Sequence, residues 1–582
     1  MLRIFIFVTI VLTFLLINLG GYVHNTGSSL ACPDWPLCYG QIMPKMEGSI
    51  LIEHGHRMLA SFVGFLCIVL MVFAWQTKNR YWLKTSAALL VMVIAQGVLG
   101  GMTVIYKLPS LVSTLHLGLS VFFFCSLIYF YYLTAEKKST LNISPATRSL
   151  LLISLIFIYG QMIIGALMRH LGLGGVCGVG YENSIQCFDM IDFQQVWFPA
   201  SIQARIHVFH RYFAIFISFL VFVSSYKIVR SVTSLSEKLL GLLPSILVVF
   251  QIALGVMTVG TNLSELVTTL HLGVGVLLIS TVWILVIKSN ELAQYSNSYL
   301  NDLLSLGKPR LSGLVIFTTA IGMYLAPEHV SLLSGFMAVV ATSMLVAGAC
   351  AINCYMERDI DGLMKRTESR PLPSKRMDSL VARNLGICLI IISVLLLFSF
   401  VNIITAVLGV IATFIYVVFY TPMKQKSPHA VFVGAIPGAI PPLMGWTAVT
   451  GQIDLLGILL FALLFVWQLP HFLAISLFYS QDYERAQIKI YPTTNGKKVT
   501  TFLIFIFTLC LSLCSLAPSW FGIANNTYYY LALSFSLAFT LFAFYGLTLE
   551  KDDARGLRWA KNYFWGSLIY LPAVMTGLLI FH

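Results

Sequence analysis

Asn353, Glu357 and Asp361 recur at i, i+4 and i+8 in the run NCYMERDIDGLMKRTESRP. On a helix that spacing puts three oxygen donors on one face. Arg358, Lys365, Arg366 and Arg370 stand beside them. Acidic oxygens ringed by cations suit a diphosphate held through Mg2+, because magnesium takes few protein carboxylates and completes its shell with phosphate oxygens. Asp359 lies off this face by spacing, and a second acidic spot follows in YSQDYERAQ, with Asp482 and Glu484. A solvated mixed-charge loop would explain a charge run, but not the regular spacing together with a second acidic loop.

Four histidines form the other constellation, and an internal repeat reveals them. QGVLGGMTV at 96–104 returns as QIALGVMTV at 251–259, and LVSTLHLGL at 111–119 returns as LVTTLHLGV at 266–274. EHGHR at 53–57 is matched by IHVFHR at 206–211, so the offset is 154 to 155 residues throughout. The repeat pairs His56 with His210 and His116 with His271. Two facing helices that each offer one imidazole can clamp a heme iron axially inside a bundle. A zinc site fits poorly, because only two nitrogens converge per bundle. Interhelical hydrogen bonding is the plainer alternative for a membrane histidine.

Arg57 and Arg211 follow His56 and His210 directly and could pair with heme propionates at the membrane boundary, or simply snorkel towards water. Glu53, one turn before His56, is replaced in the second copy by His207. A carboxylate there could move protons or stabilise developing positive charge, so the first bundle reads as the reacting site and the second as the permanent heme site. Cys32 and Cys38, and Cys177 and Cys187, fall in equivalent outer loops as disulfides or as redox-active dithiols. The other seven cysteines lie in or beside helices and read as packing residues.

The elements that carry these groups follow from composition. Of 582 residues, 58% are hydrophobic and only 10% charged, against about 25% charged in a soluble chain. A soluble enzyme, a secreted disulfide scaffold and a disordered chain are all excluded. Apolar runs of about 20 residues span a bilayer, and the pattern predicts seventeen helices, among them 312–327, 404–420 and 455–475. The expected fold is all-α and polytopic: two tandem four-helix bundles followed by a nine-helix bundle. Predicted inner segments hold 30 of the 36 Lys and Arg residues, which places the N-terminus in the cytoplasm by the positive-inside rule. The net charge of +13 is therefore topological and implies no nucleic acid. Residues 1–290 form one domain (repeats 1–140 and 145–288), 291–301 a cytoplasmic linker, and 302–582 a second domain.

On EHGHR, CPDWPLC at 32–38, both TLHLG segments and IHVFHR, residues 1–290 resemble the heme A synthase family. The resemblance implies oxidation of the C8 methyl of heme O to a formyl group. It also implies a heme b held by His210 and His271, substrate heme held by His56 and His116, and Glu53 as the catalytic carboxylate. Family members often carry Arg after the first helix, where this chain has His24. Residues 300–582 resemble the membrane aromatic prenyltransferase superfamily, and within it protoheme IX farnesyltransferase (heme O synthase). The motifs are the 353–371 run, FYTPMKQKSPHAVFVGAIPGAIPPLMGW at 419–446 and WQLPHFLAISLFYSQDYERA at 467–486.

That second resemblance implies farnesyl diphosphate and protoheme IX as substrates and heme O as product. Asn353, Glu357, Asp361 and Asp482 would hold Mg2+. Arg358, Lys365, Arg366, Arg370 and Lys424 would contact diphosphate, with His471 a porphyrin candidate. Glu357 replaces a common aspartate, and the usual Ala-Gly reads Ala486-Gln487. A fusion of two consecutive heme-modifying enzymes in a bacterial plasma membrane is expected, with terminal-oxidase assembly factors as partners and an unidentified electron acceptor. Two other readings stay open: a repeat-containing transporter, and a cytochrome b-like carrier joined to a quinone-type prenyltransferase.

Overall fold

The computed structural model describes residues 1–135, 140–177, 201–289, 297–327, 330–549 and 554–581. Among these residues all regular structure is helical, and sixteen helices are long and apolar enough to cross a membrane. The chain divides into two compact units, Met1–Gln294 and Tyr295–His582.

The first unit holds α1 (Leu2–Asn25), α2 (Gly48–Gln76), α3 (Arg80–Ile105), α4 (Ser110–Leu133), α5 (Pro145–His170), α6 (Ile202–Ser231), α7 (Leu235–Gly260) and α8 (Glu265–Ser289). Each helix packs on the next, α1 also packs on α4, and α5 on α8, so two four-helix rings close. They meet along α1–α8 and α4–α5. Polar side chains set several helix starts by capping free N–H groups. Asn79 caps α3, Ser144 caps α5 ahead of Pro145, and Ser201 caps α6.

The turns that lead into α4 and α8 are copies of each other down to the backbone. Lys107 and Leu108 have φ of 54° and 61°, and Asn262 and Leu263 have 52° and 63°. Leu108 N–H donates to Thr103 O at 2.7 Å, and Leu263 N–H to Thr258 O at 2.8 Å. Side chains of L-residues resist this left-handed region. The conformation is held in both copies because each turn aims a histidine-bearing helix back into its ring.

The second unit runs α9 (Asn297–Leu306), α10 (Pro309–Tyr324), α11 (Leu332–Asp361), α12 (Ser379–Phe400), α13 (Ile403–Phe414), α14 (Thr421–Lys426), α15 (Ala430–Thr450), α16 (Leu455–Phe478), α17 (Ser480–Arg485), α18 (Tyr491–Thr494), α19 (Lys497–Trp520), α20 (Asn526–Thr548) and α21 (Ala554–Phe581). The helix expected at 312–327 is α10, whose apolar stretch Leu311–Tyr324 is shorter than the other spans. It lies backbone to backbone on α15: a Cβ at Gly322 would stand 2.1 Å from Pro442 O, and one at Gly445 2.0 Å from Thr319 O. The run expected as one helix at 404–420 changes to a π-helical turn at Ile415–Tyr420 and then continues as α14.

Polar groups inside an apolar bundle need internal partners, and the second unit supplies them. Tyr563 pairs with Thr508 at 2.6 Å, and Tyr570 with Ser515 at 2.8 Å and Ser536 at 2.9 Å. Tyr528 donates to Ser515 O at 2.8 Å.

Candidate active sites

At the inner end of α11, Asn353, Glu357 and Asp361 form a buried strip, exposed by only 2%, 4% and 2%. Buried acids need countercharge, and each position meets one cation from a different segment. Lys308 Nζ donates to Asn353 Oδ1 at 2.9 Å. Lys424 Nζ reaches both Glu357 carboxylate oxygens at 3.1 Å, and Arg370 donates to Asp361 Oδ2 at 2.8 Å. Asn353 Nδ2 also donates to Thr421 Oγ1 at 3.2 Å, and Thr421 donates to Tyr416 O at 2.8 Å. The π turn therefore ends against the strip and sets Lys424 one turn further on. A cavity lined by Ser305, Lys308, Cys354, Asp361, Arg370 and Pro371 opens there.

The second acidic loop joins this region through packing. Met364 clusters with Ala486 and Ile488, and the Arg366 guanidinium lies over the rings of Tyr479 (4.8 Å) and Tyr483 (5.8 Å). Asp482 pairs with Arg485 at 3.6 Å. Gln487 adopts φ 54°, so the turn favoured by glycine is made here by glutamine.

Three expected diphosphate contacts are not brought to the strip, Arg366 among them. Lys365 is exposed, and Arg358 turns to Tyr355 O at 2.8 Å and to Asp359 at 3.6 Å. Arg358 lies off the strip's helical face, as its spacing implied, whereas Lys365 continues the four-residue spacing but follows the end of α11 at Asp361. Lys308 was missed because its contact spans 45 positions and lies outside the acidic motif. His471 is buried on α16, with Nδ1 2.7 Å from Ser567 Oγ.

In the first unit the four histidines point into their rings. His56 lies within electrostatic reach of His116, and His210 of His271. Each ring rests against a glycine of a neighbouring helix. A Cβ at Gly20, Gly100, Gly165 or Gly255 would come within 3.0 to 3.1 Å of the ring Cε1 of His56, His116, His210 or His271 respectively. Nδ1 of His56, His210 and His271 is sealed from solvent with no hydrogen-bond partner. Gln96 Nε2 lies 3.1 Å from His116 Nδ1, and Gln251 Nε2 3.3 Å from His271 Nε2. Orphaned imidazole nitrogens and glycine cradles on paired helices fit a bis-histidine heme. Gln96 and Gly100 recur as Gln251 and Gly255 in the repeated segment, so this second layer was readable in the sequence.

Around Glu53 the loop and the helix lock together. Glu53 is buried, its Oε1 accepts from Arg57 at 2.5 Å, and its Oε2 accepts from Cys32 N–H at 2.8 Å. Arg57 also donates to Asp34 O and Leu37 O at 2.7 Å each, and to Cys32 O at 3.1 Å. Four of its five donors are thus engaged, so Arg57 clamps the loop where a propionate role was expected. Cys32 and Cys38 form a disulfide. Cys177 is disulfide-bonded, and Cys187 lies outside the described residues. In the second bundle His207 Nδ1 bonds Leu173 O at 3.1 Å, and Arg211 donates to Cys177 O at 3.0 Å.

Fold and sites together define a multi-pass membrane enzyme with two separately built units. Residues 315–568 match the UbiA prenyltransferase family, and residues 3–283 match COX15-CtaA, cytochrome oxidase assembly protein. The chain belongs to the UbiA prenyltransferase family through its second unit and to the COX15-CtaA family through its first, and is a fusion of the two. A protoheme IX farnesyltransferase of Anaeromyxobacter dehalogenans (strain 2CP-C) is 45% identical over 283 residues, covering 49% of this chain and 94% of the relative. That of Myxococcus xanthus (strain DK1622) is 40% identical over 291 residues, covering 50% and 98%. A solved UbiA homolog from Archaeoglobus fulgidus bound to GPP and Mg2+ aligns with a TM-score of 0.38 at 16% identity, over 48% of this chain and 99% of that one.

Proposed function

We propose that the chain farnesylates protoheme IX with farnesyl diphosphate to give heme O, and then oxidises the C8 methyl of heme O to a formyl group, giving heme A. The observation that carries this reading is the Asn353–Glu357–Asp361 strip with its three cations, in a unit 45% identical to a protoheme IX farnesyltransferase. Asn353, Glu357, Asp361 and Asp482 would hold Mg2+, which supplies charge neutralisation for the departing diphosphate. The cations on the strip do the rest. As the C1–O bond of the allylic diphosphate breaks, Lys308, Arg370 and Lys424 receive the negative charge. The porphyrin vinyl group attacks C1, and water completes the hydroxyethylfarnesyl group. His471 lines the porphyrin side.

In the first unit His56 and His116 hold substrate heme, and His210 and His271 hold a heme b, which supplies one-electron chemistry when bound. Glu53 is the proton-handling carboxylate, positioned by Arg57 and the Cys32 amide. The electrons pass to an acceptor outside the chain. The setting is a bacterial plasma membrane with the N-terminus in the cytoplasm, and terminal-oxidase assembly factors are the expected partners.

The test is to incubate membranes containing the full chain with farnesyl diphosphate and protoheme, then weigh the extracted hemes. Masses of heme O and heme A are expected. Unchanged protoheme alongside a prenylated quinone precursor would overturn the reading.

A further inference from the structure

The hydrogen bonds around His471 favour one of its two tautomers. The Ser567 hydroxyl has one hydrogen, and donates it to Phe564 O at 2.6 Å. The 2.7 Å contact between Ser567 Oγ and His471 Nδ1 must then take its hydrogen from the ring. His471 is the Nδ1–H tautomer, and its lone pair sits on Nε2. That atom has no hydrogen-bond partner among the described residues. Unlike the nitrogens of His56, His210 and His271 it is not wholly sealed.

The ring cannot swing away. Its centroid lies 4.7 Å from Trp467, stacked at 24°, and 4.8 Å from Phe564. Trp467 Nε1 donates to Ser567 O at 2.8 Å, so one residue of α21 holds both Trp467 and His471. His471 sits seven residues before Phe478, the inner end of α16, which places it roughly 10 Å along the helix from the Asp482 loop. This is the arrangement of a metal-ligating histidine. The outward nitrogen is free, and the other donates to a fixed oxygen that sets the tautomer.

We propose that His471 Nε2 is the axial ligand to the iron of the porphyrin acceptor in the second unit, with Ser567 as its positioning residue. This rests on the farnesylation reading above. Ligation releases no proton, because the ring's single N–H is retained by Ser567. It makes the acceptor site selective for an iron porphyrin over the metal-free ring.

The test titrates protoheme and metal-free protoporphyrin IX into the full chain and into His471→Gly and Ser567→Ala. Absorbance is read after subtracting each protein's starting spectrum, and heme O is measured by mass in parallel. His471→Gly is expected to weaken protoheme binding at least about tenfold and to shift the added heme's bands, with free imidazole restoring them. Ser567→Ala keeps the ligand and should give a smaller loss with at most a slight band shift, and farnesyl diphosphate binding should not change in either. Unaltered bands in His471→Gly, or equal affinity of the wild type for the metal-free ring, would overturn the ligation while leaving farnesylation intact. If His471→Gly no longer binds farnesyl diphosphate, the shape-conserving His471→Asn decides, and heme bands identical to the wild type's there overturn the proposal. A wild type that makes no heme O removes both the farnesylation reading and the ligation.

Discussion

The two rings of the first unit share a histidine pair, a glycine behind each ring and the same left-handed turn, yet differ one helical turn before the first histidine. In the first ring Glu53 is buried between Arg57 and the Cys32 amide, and the disulfide loop is drawn down onto it. In the second, His207 makes one bond to a carbonyl at Leu173, and Arg211 reaches Cys177 O. The duplication preserved the histidine pair with its glycine cradles and changed the titratable group one turn before it. On the proposed function, that single position is what separates a ring that reacts from one that only holds heme.

The strongest way to break that comparison is Glu53→Gln, which preserves shape but removes the charge and one of the two acceptor oxygens. Heme O oxidation should fall by about 10²–10⁴-fold, while His207→Gln should leave it within a few-fold. Equal losses in heme A, quantified by mass, would mean the rings do not differ in role. Arg57→Ala comes next. It strands a buried carboxylate, which costs about 3 kcal/mol, and should lower the thermal midpoint of the first unit more than Arg211→Ala does. No difference between the two midpoints would remove the idea of an Arg57 clamp.

The glycine cradles sharpen the contrast further. Gly255→Ala places a methyl about 3.1 Å from His271 Cε1 and should reduce the b-type absorbance about tenfold, as loss of outer-shell support does. Gly100→Ala should spare that band and weaken heme O binding. The reverse pattern in difference spectra would exchange the roles of the rings.

The smallest effect lies in the loop. Asp34 accepts from Tyr39 N–H at 2.6 Å and Gly40 N–H at 2.8 Å, and the Gly40 amide above all holds its carboxyl below the usual range. A carboxyl depressed on folding stabilises above its unfolded pKa, and that contribution is lost only as pH falls through the lower folded value. Asp34→Asn should therefore change loop protection from proteolysis slightly at neutral pH and not at all at strongly acid pH. A pH-independent effect would show that the charge is irrelevant.

Most helices were legible because a bilayer-length apolar run admits little else, and the repeat made the histidine pairs visible before any contact was known. The short length of α10 was legible, but its bounds lie three residues earlier than expected, and its close approach to α15 through Gly322 and Gly445 was not legible. The partners of the strip were half legible. Arg370 sits nine residues from Asp361, within the motif, whereas Lys308 and Lys424 reach their targets across 45 and 67 positions. The loop contacts of Arg57 were not legible, since the sequence could not show that a loop 20 to 25 residues upstream folds back to offer three carbonyls.

The strip on α11 has one more consequence, best put as ion exchange. Each of its three positions already holds a cation, so a divalent metal arriving alone must evict ammonium or guanidinium groups, and a diphosphate arriving alone must pull them from their oxygens. Arriving together, the metal takes the acidic oxygens and the diphosphate takes the released cations, as two salts swap partners. Metal and diphosphate should therefore bind with strong mutual cooperativity, each raising the other's affinity by the same factor. Calorimetric titration of each in the presence and absence of the other measures that factor, and independent binding would refute the exchange.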